Sequence, residues 1–195
     1  MSRRIVLTGG PGAGKTVVAA RLAAEQPQRF IVVPEAATQV YTMLQTRWDR
    51  LDHAGRHDVQ RRIYRLQREQ EDRLAAEHPS KTLLLDRGTI DGAAYWPEGA
   101  EAYWHDLGTT HDVEIRRYDA VLLLQTSAAL GLYDGDDSNF CRFEDAEAAI
   151  ASDNLLELLW RDHPRLTKVP AFHTLEEKMA SVRAILAAPL REPSR

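Results

Sequence analysis

Eight consecutive residues, Gly9-Gly10-Pro11-Gly12-Ala13-Gly14-Lys15-Thr16, satisfy GxxxxGKT at every fixed position. Glycines at that spacing let the chain fold tightly enough for successive N–H groups to point inward, and such a nest at the positive end of a helix holds polyphosphate. In this pattern the ammonium of Lys15 reaches the β- and γ-phosphates, and the Thr16 hydroxyl completes the coordination of a Mg²⁺ ion that bridges them. Gly10, Pro11, Gly12, Ala13, Gly14, Lys15, Thr16 and Val17 are therefore the expected nucleotide-binding segment. Asp86 follows four residues that read as a buried strand, Thr82-Leu83-Leu84-Leu85, and has the setting of a carboxylate that helps hold the same ion. Thr16 and Asp86 are the expected metal ligands.

Three further residues complete the chemistry. Phosphoryl transfer to an alcohol needs a group that receives or orients the hydroxyl proton in line with the γ-phosphate, and Glu35, just past the apolar run Phe30-Ile31-Val32-Val33, is placed for that. Arg87 would neutralise charge on the transferring group or hold the acceptor. Arg142 follows a Gly-, Asp- and Ser-rich stretch, residues 131–139, and reads as a lid arginine that adds charge only when the site closes. Lys15, Glu35, Asp86, Arg87 and Arg142 are thus the expected catalytic set. The seven histidines are taken as scattered and therefore solvent-facing or structural, so no histidine metal site is expected. Tyr95, Trp96, Tyr103 and Trp104 read as core residues rather than a stacking platform for substrate.

These side chains must be delivered by strand ends. Apolar runs predict strands at 3–8, 30–33, 82–86, 119–124 and 166–169. Helical patterns between them run from Lys15 to about Gln26, from Ala36 to Gln45 with Val40, Met43 and Leu44 buried, and from His57 to His78 with Val59, Ile63, Leu66 and Leu74 inward. Arg61, Arg62, Arg65 and Arg68 on the last of these are expected to pair with Glu69, Glu71, Asp72 and Glu77 on its solvated surface. Residues 89–118 read as short helices over the carboxyl edge of the sheet. Helices ending near Asp162 and spanning Leu175 to Ala187 complete the chain. Alternation of this kind predicts a three-layer α/β fold with a mainly parallel five-stranded sheet, in which ligands bind beyond the carboxyl ends of the strands.

Composition narrows the function classes. The 195 residues suit one domain, with a lid at about 127–147, and 44% hydrophobic with 28% charged residues is ordinary for a folded chain. A net charge of −4 argues against DNA or RNA as the partner, because neutralising a phosphate backbone needs a basic face. Cys141 is the only cysteine, which excludes an intrachain disulfide and a cysteine-based zinc site. No apolar run reaches the roughly 18 residues that span a bilayer, so a cytoplasmic protein is expected.

The segments 5–16, Val33-Pro34-Glu35-Ala36-Ala37, Leu85-Asp86-Arg87-Gly88 and 139–148 together resemble the small AAA-type P-loop domain family. That family includes the ribosylnicotinamide kinase domain of NadR proteins as well as other nucleotide-binding proteins. The resemblance implies a P-loop kinase-like fold with sheet order 2-3-1-4-5. More distantly the chain is similar to deoxynucleoside and thymidylate kinases, in which a glutamate ends the second strand and an acidic-Arg pair ends the third. The function expected is a kinase using ATP, or GTP, with Mg²⁺ to phosphorylate a small hydroxyl-bearing, nucleoside-like acceptor. The alternative is a nucleotide-binding switch or slow NTPase acting through a protein or lipid partner. A ring-forming ATPase fits less well, because Arg87 stands where such enzymes carry a glutamate. A GTPase switch fits less well too, since there is no NKxD and Asp86-Arg87-Gly88 is not DxxG.

Overall fold

The computed structural model describes residues 2–132 and 145–188. Five strands, β1 (Arg4–Thr8), β2 (Phe30–Val33), β3 (Thr82–Asp86), β4 (Ala120–Leu124) and β5 (Leu166–Val169), form one parallel sheet in the order β2-β3-β1-β4-β5. Seven α-helices accompany them among the described residues: α1 (Lys15–Glu25), α2 (Ala36–Leu44), α3 (His53–Glu77), α4 (Ala100–Leu107), α5 (His111–Ile115), α6 (Ala146–Trp160) and α7 (Leu175–Ala187). A 3₁₀ segment, Thr89–Tyr95, leads from β3 toward α4, as the short-helix expectation for that region required.

Strand side chains alternate between two cores because their period is two. Leu7, Leu84, Leu122 and Leu124 face a core shared with Val18 and Leu22 of α1 and Val182 of α7. Val6, Leu83, Leu85 and Val121 face the opposite core, where Trp96, Tyr103, Trp104 and Trp160 pack. Both faces are covered, which is why the strands read as unbroken apolar runs rather than as alternating ones.

Helix phases differ from expectation in places. In α2 the buried residues are Ala36, Val40 and Tyr41, while Met43 is 74% exposed and Leu44 is also exposed. A nine-residue helix with apolar residues on two sides does not state its inward face; its neighbour α3 selects Tyr41. In α3 the buried face is largely polar: Gln60, Gln67, Gln70 and Glu71 are buried beside Val59, Tyr64 and Leu74.

The predicted surface pairing on α3 is also corrected. Arg61 bonds Asp106 and Arg62 bonds Asp58, while Arg68 donates to Tyr64 Oη. Glu71 lies fully inside, accepting from Arg117, Gln67 and Tyr118, with Arg4 3.3 Å away. A wholly buried carboxylate needs partners from several elements, and α3 runs close enough to β1 and the 117–118 turn to recruit them.

Candidate active site

The loop from Gly9 to Gly14 leaves β1 and enters α1 through backbone that a side chain resists. Gly9 has φ 137°, and a Cβ there would lie 2.1 Å from the Leu124 carbonyl oxygen. Gly14, which caps α1, has φ 80° and offers no side chain to the first-turn N–H groups. Those donors are left to a ligand. The scaffold grips the loop by its carbonyls: Pro11 O accepts from Thr126 Oγ1, Gly12 O from Ser127 Oγ at 3.3 Å, and Ala13 O from Lys178 Nζ at 2.9 Å. In a trans peptide a carbonyl and the following N–H point opposite ways, so anchoring Pro11 and Ala13 outward directs Gly12 N–H and Gly14 N–H inward. Gly10 differs from its neighbours, since its N–H donates to Asp153 of α6.

Asp153 and Lys178 were not anticipated from sequence. Nothing local marks them, because each acts on a loop more than 140 residues away. Asp153 also accepts from Thr126 N at 2.7 Å, so one carboxylate ties the loop to the end of β4. Val17 sits in the first turn of α1 with its side chain exposed.

Lys15 is 2% exposed, and its Nζ donates to Gly9 O at 2.7 Å and Gly10 O at 2.9 Å, which keeps the ammonium at the mouth of the loop. Thr16 Oγ1 donates to Asp86 Oδ2 at 2.5 Å. Asp86 Oδ1 is buried with no hydrogen-bond partner among the described residues. A hydroxyl beside a carboxylate whose second oxygen is unsatisfied is a donor set that suits a hard divalent cation, and Mg²⁺ fits it. Burial, and then the neighbouring Glu35 charge, push Asp86 above the ordinary carboxylate range, with Lys15 opposing. A cation in that place relieves the penalty.

Glu35 and Arg87 meet where β2 and β3 end. Arg87 Nε donates to Glu35 Oε1 at 2.6 Å, and Thr38 Oγ1 donates to Glu35 Oε2 at 2.5 Å. Burial alone would raise the Glu35 pKa, but Arg87, Lys15 and Thr38 outweigh it and hold the carboxyl at about 2. It is a carboxylate at neutral pH.

Arg87 adopts φ 79°, an unusual conformation for a residue with a Cβ, and strain of this kind persists only where surroundings enforce it. Gln67 supplies part of the enforcement: its Nε2 bridges Arg87 O at 3.1 Å and Glu71 Oε1 at 2.9 Å. Arg87 Nη1 is buried with no hydrogen-bond partner among the described residues, 3.6 Å from Asp91 Oδ2. Asp91 itself accepts from Thr8 Oγ1 at 2.9 Å and from Trp160 Nε1 at 2.6 Å.

Glu35 and Arg87 line a cavity of about 210 Å³ that extends from Pro11 between α2, α3 and the 3₁₀ segment. Trp48, Tyr64 and Tyr95 give its wall aromatic faces, and Gln60 and Gln67 give it amides. Trp96, Tyr103 and Trp104 are core residues as expected, whereas half-buried Tyr95 lines the cavity with Tyr103. The structure therefore brings Lys15, Thr16, Glu35, Asp86 and Arg87 to one sheet edge. Arg142 and most of the expected lid lie outside the described residues. One histidine reading needs correction: His53-Ala54-Gly55-Arg56-His57 is an HxxxH spacing, and both rings meet Glu98.

Comparisons with known proteins bear on the family and the fold. No curated protein sequence matches the chain significantly. Among solved structures, that of NadR protein in complex with NAD and AMP-PNP superposes with a TM-score of 0.63 at 14% identity, covering 100% of this chain and 52% of that one. The chain thus spans about half the length of that protein. Deoxyadenosine kinase from M. mycoides with bound dATP superposes with a TM-score of 0.61 at 13% identity, covering 95% of this chain and 100% of that one. The likeness is one of fold, the three-layer α/β arrangement of P-loop kinases, which this chain builds on a 2-3-1-4-5 sheet. The AAA domain model matches residues 4–178, nearly the whole of the described chain, and this chain belongs to that family.

Proposed function

We propose that the protein is an ATP-dependent small-molecule kinase that transfers the γ-phosphoryl group to a hydroxyl of a nucleoside-like acceptor. The observation that carries this reading is the joining of two sites: Pro11 of the phosphate loop lines the same cavity as the Glu35–Arg87 pair. A protein that only bound or hydrolysed nucleotide would have no use for a second, aromatic-walled compartment there. The fold neighbours point the same way, one captured with AMP-PNP and NAD, the other a deoxyadenosine kinase.

In this mechanism the loop amides and Lys15 hold the triphosphate, while Thr16 and Asp86 would hold Mg²⁺, which would supply positive charge to the phosphates. Glu35, ionised and tied to Arg87, accepts a hydrogen bond from the acceptor hydroxyl and aligns it. A carboxylate with so low a pKa is a weak base, but a loose phosphoryl transition state asks more for alignment than for early proton removal. The Arg87 Nη1 N–H groups, with no hydrogen-bond partner among the described residues, suit the charge that builds on the transferring group.

The test is nucleotide consumption with Mg·ATP and Mg·GTP across a panel of nucleosides and simpler alcohols. Acceptor-dependent ADP formation and a phosphorylated product are expected. A tight, nearly inert nucleotide complex with every acceptor would overturn the kinase reading in favour of a regulatory switch.

A further inference from the structure

His53 and His57 occupy the first two turns of α3 at i and i+4, which places both rings on one helix face. Across from them, the turn that follows Trp96 presents Glu98. His53 Nε2 lies 2.6 Å from Glu98 Oε1 and His57 Nε2 lies 2.8 Å from Glu98 Oε2. The three ligand atoms are all within 4.8 Å of one another. His57 is not free to wander, since its ring stacks flat on Trp96 with centroids 4.3 Å apart and planes 5° from parallel. His53 and Glu98 are more exposed and can adjust around an entering ion.

We infer that His53, His57 and Glu98 form a binding site for a Zn²⁺-class divalent cation, separate from the Mg²⁺ position at Thr16 and Asp86. Two imidazoles and one carboxylate are a borderline-soft donor set that selects Zn²⁺, and also Co²⁺, Ni²⁺ or Cu²⁺, over Mg²⁺ or Ca²⁺, with water completing a four-coordinate shell. Metal–ligand bonds near 2.0–2.2 Å need ligand atoms somewhat further apart than these hydrogen bonds. Small rotations of exposed side chains provide that room. The ion replaces the hydrogen bonds to Glu98 and joins the start of α3 to the turn after the 3₁₀ segment. Further along, α3 through Gln60, Tyr64 and Gln67 and the 3₁₀ segment through Thr89 and Tyr95 line the cavity beside Glu35 and Arg87, so the ion ties together two elements that wall it.

The test is a titration of chelator-stripped, nucleotide-free protein with Zn²⁺ by calorimetry and with Co²⁺ by visible absorption. One equivalent is expected to bind, with Mg²⁺ failing to compete. Zn²⁺ at about 100-fold above its dissociation constant should raise Tm by about 5–10 °C. His53→Ala and Glu98→Gln, both at exposed positions, should each weaken binding on the order of 10-fold or more, and His173→Ala on another part of the surface should not. Absence of binding, or undiminished binding in the His53→Ala/Glu98→Gln double variant, would show a hydrogen-bonded cluster only and end the proposal.

Discussion

The chemistry at Glu35 depends on two neighbours, Arg87 and Thr38, that set both its charge and its direction. Glu35→Gln keeps the shape but removes the charge, so nucleotide binding should survive while transfer falls, by a factor on the order of 10² to 10⁴ if the carboxylate also takes the proton. Single-turnover transfer beside nucleotide affinity would check this, and unchanged transfer would remove Glu35 from the reaction. The same residue predicts an acid limb in stability. Folding lowers its pKa from 4.5 to about 2, so its contribution is complete above pH 4.5 and fades as the pH falls toward 2. Melting curves of the parent protein and Glu35→Gln should therefore differ by a constant amount above about pH 5 and converge below it.

At the scale of elements, α3 both builds the cavity wall and secures the Arg87 backbone, and its buried polar face makes this possible. Glu71 is the hub. Glu71→Gln removes one of the carboxylates that pair with Arg117 and Arg4 and leaves Asp72 as their shared partner, so a loss on the order of 1–3 kcal/mol is expected. Urea unfolding at neutral pH would measure it. Helix α6 works on the other side of the site, where Asp153 receives both Gly10 N and Thr126 N. Asp153→Asn offers one acceptor in place of two, so the loop should loosen, raising KM for ATP several-fold with little change in KM for the acceptor. Equal changes in both constants would show a general loss of structure instead.

For the molecule as a whole, ligand binding and stability are one equilibrium. Mg·ATP at about 100-fold above its dissociation constant should stabilise the protein by about 2.7 kcal/mol, read as a rise in Tm. Lys15→Ala should abolish that rise, because the ammonium at the loop mouth is the charge the triphosphate meets. A preserved rise would refute the phosphate-loop assignment. Among the described residues no helix is long and apolar enough to cross a membrane.

The residues themselves determined the phosphate loop, the five strands and the placement of Glu35, Asp86 and Arg87. GxxxxGKT is contiguous, and a strand buried on both faces advertises itself as an apolar run with its functional residue at the end. Only the tertiary structure decided which face of α2 turns inward, why α3 buries glutamines, and that Asp153 and Lys178 brace a loop far from them in the chain. It also decided that Glu98 meets the HxxxH pair. A contact between distant residues leaves no local period or spacing to read, because each partner is an ordinary surface-type residue until packing brings the other within hydrogen-bond range.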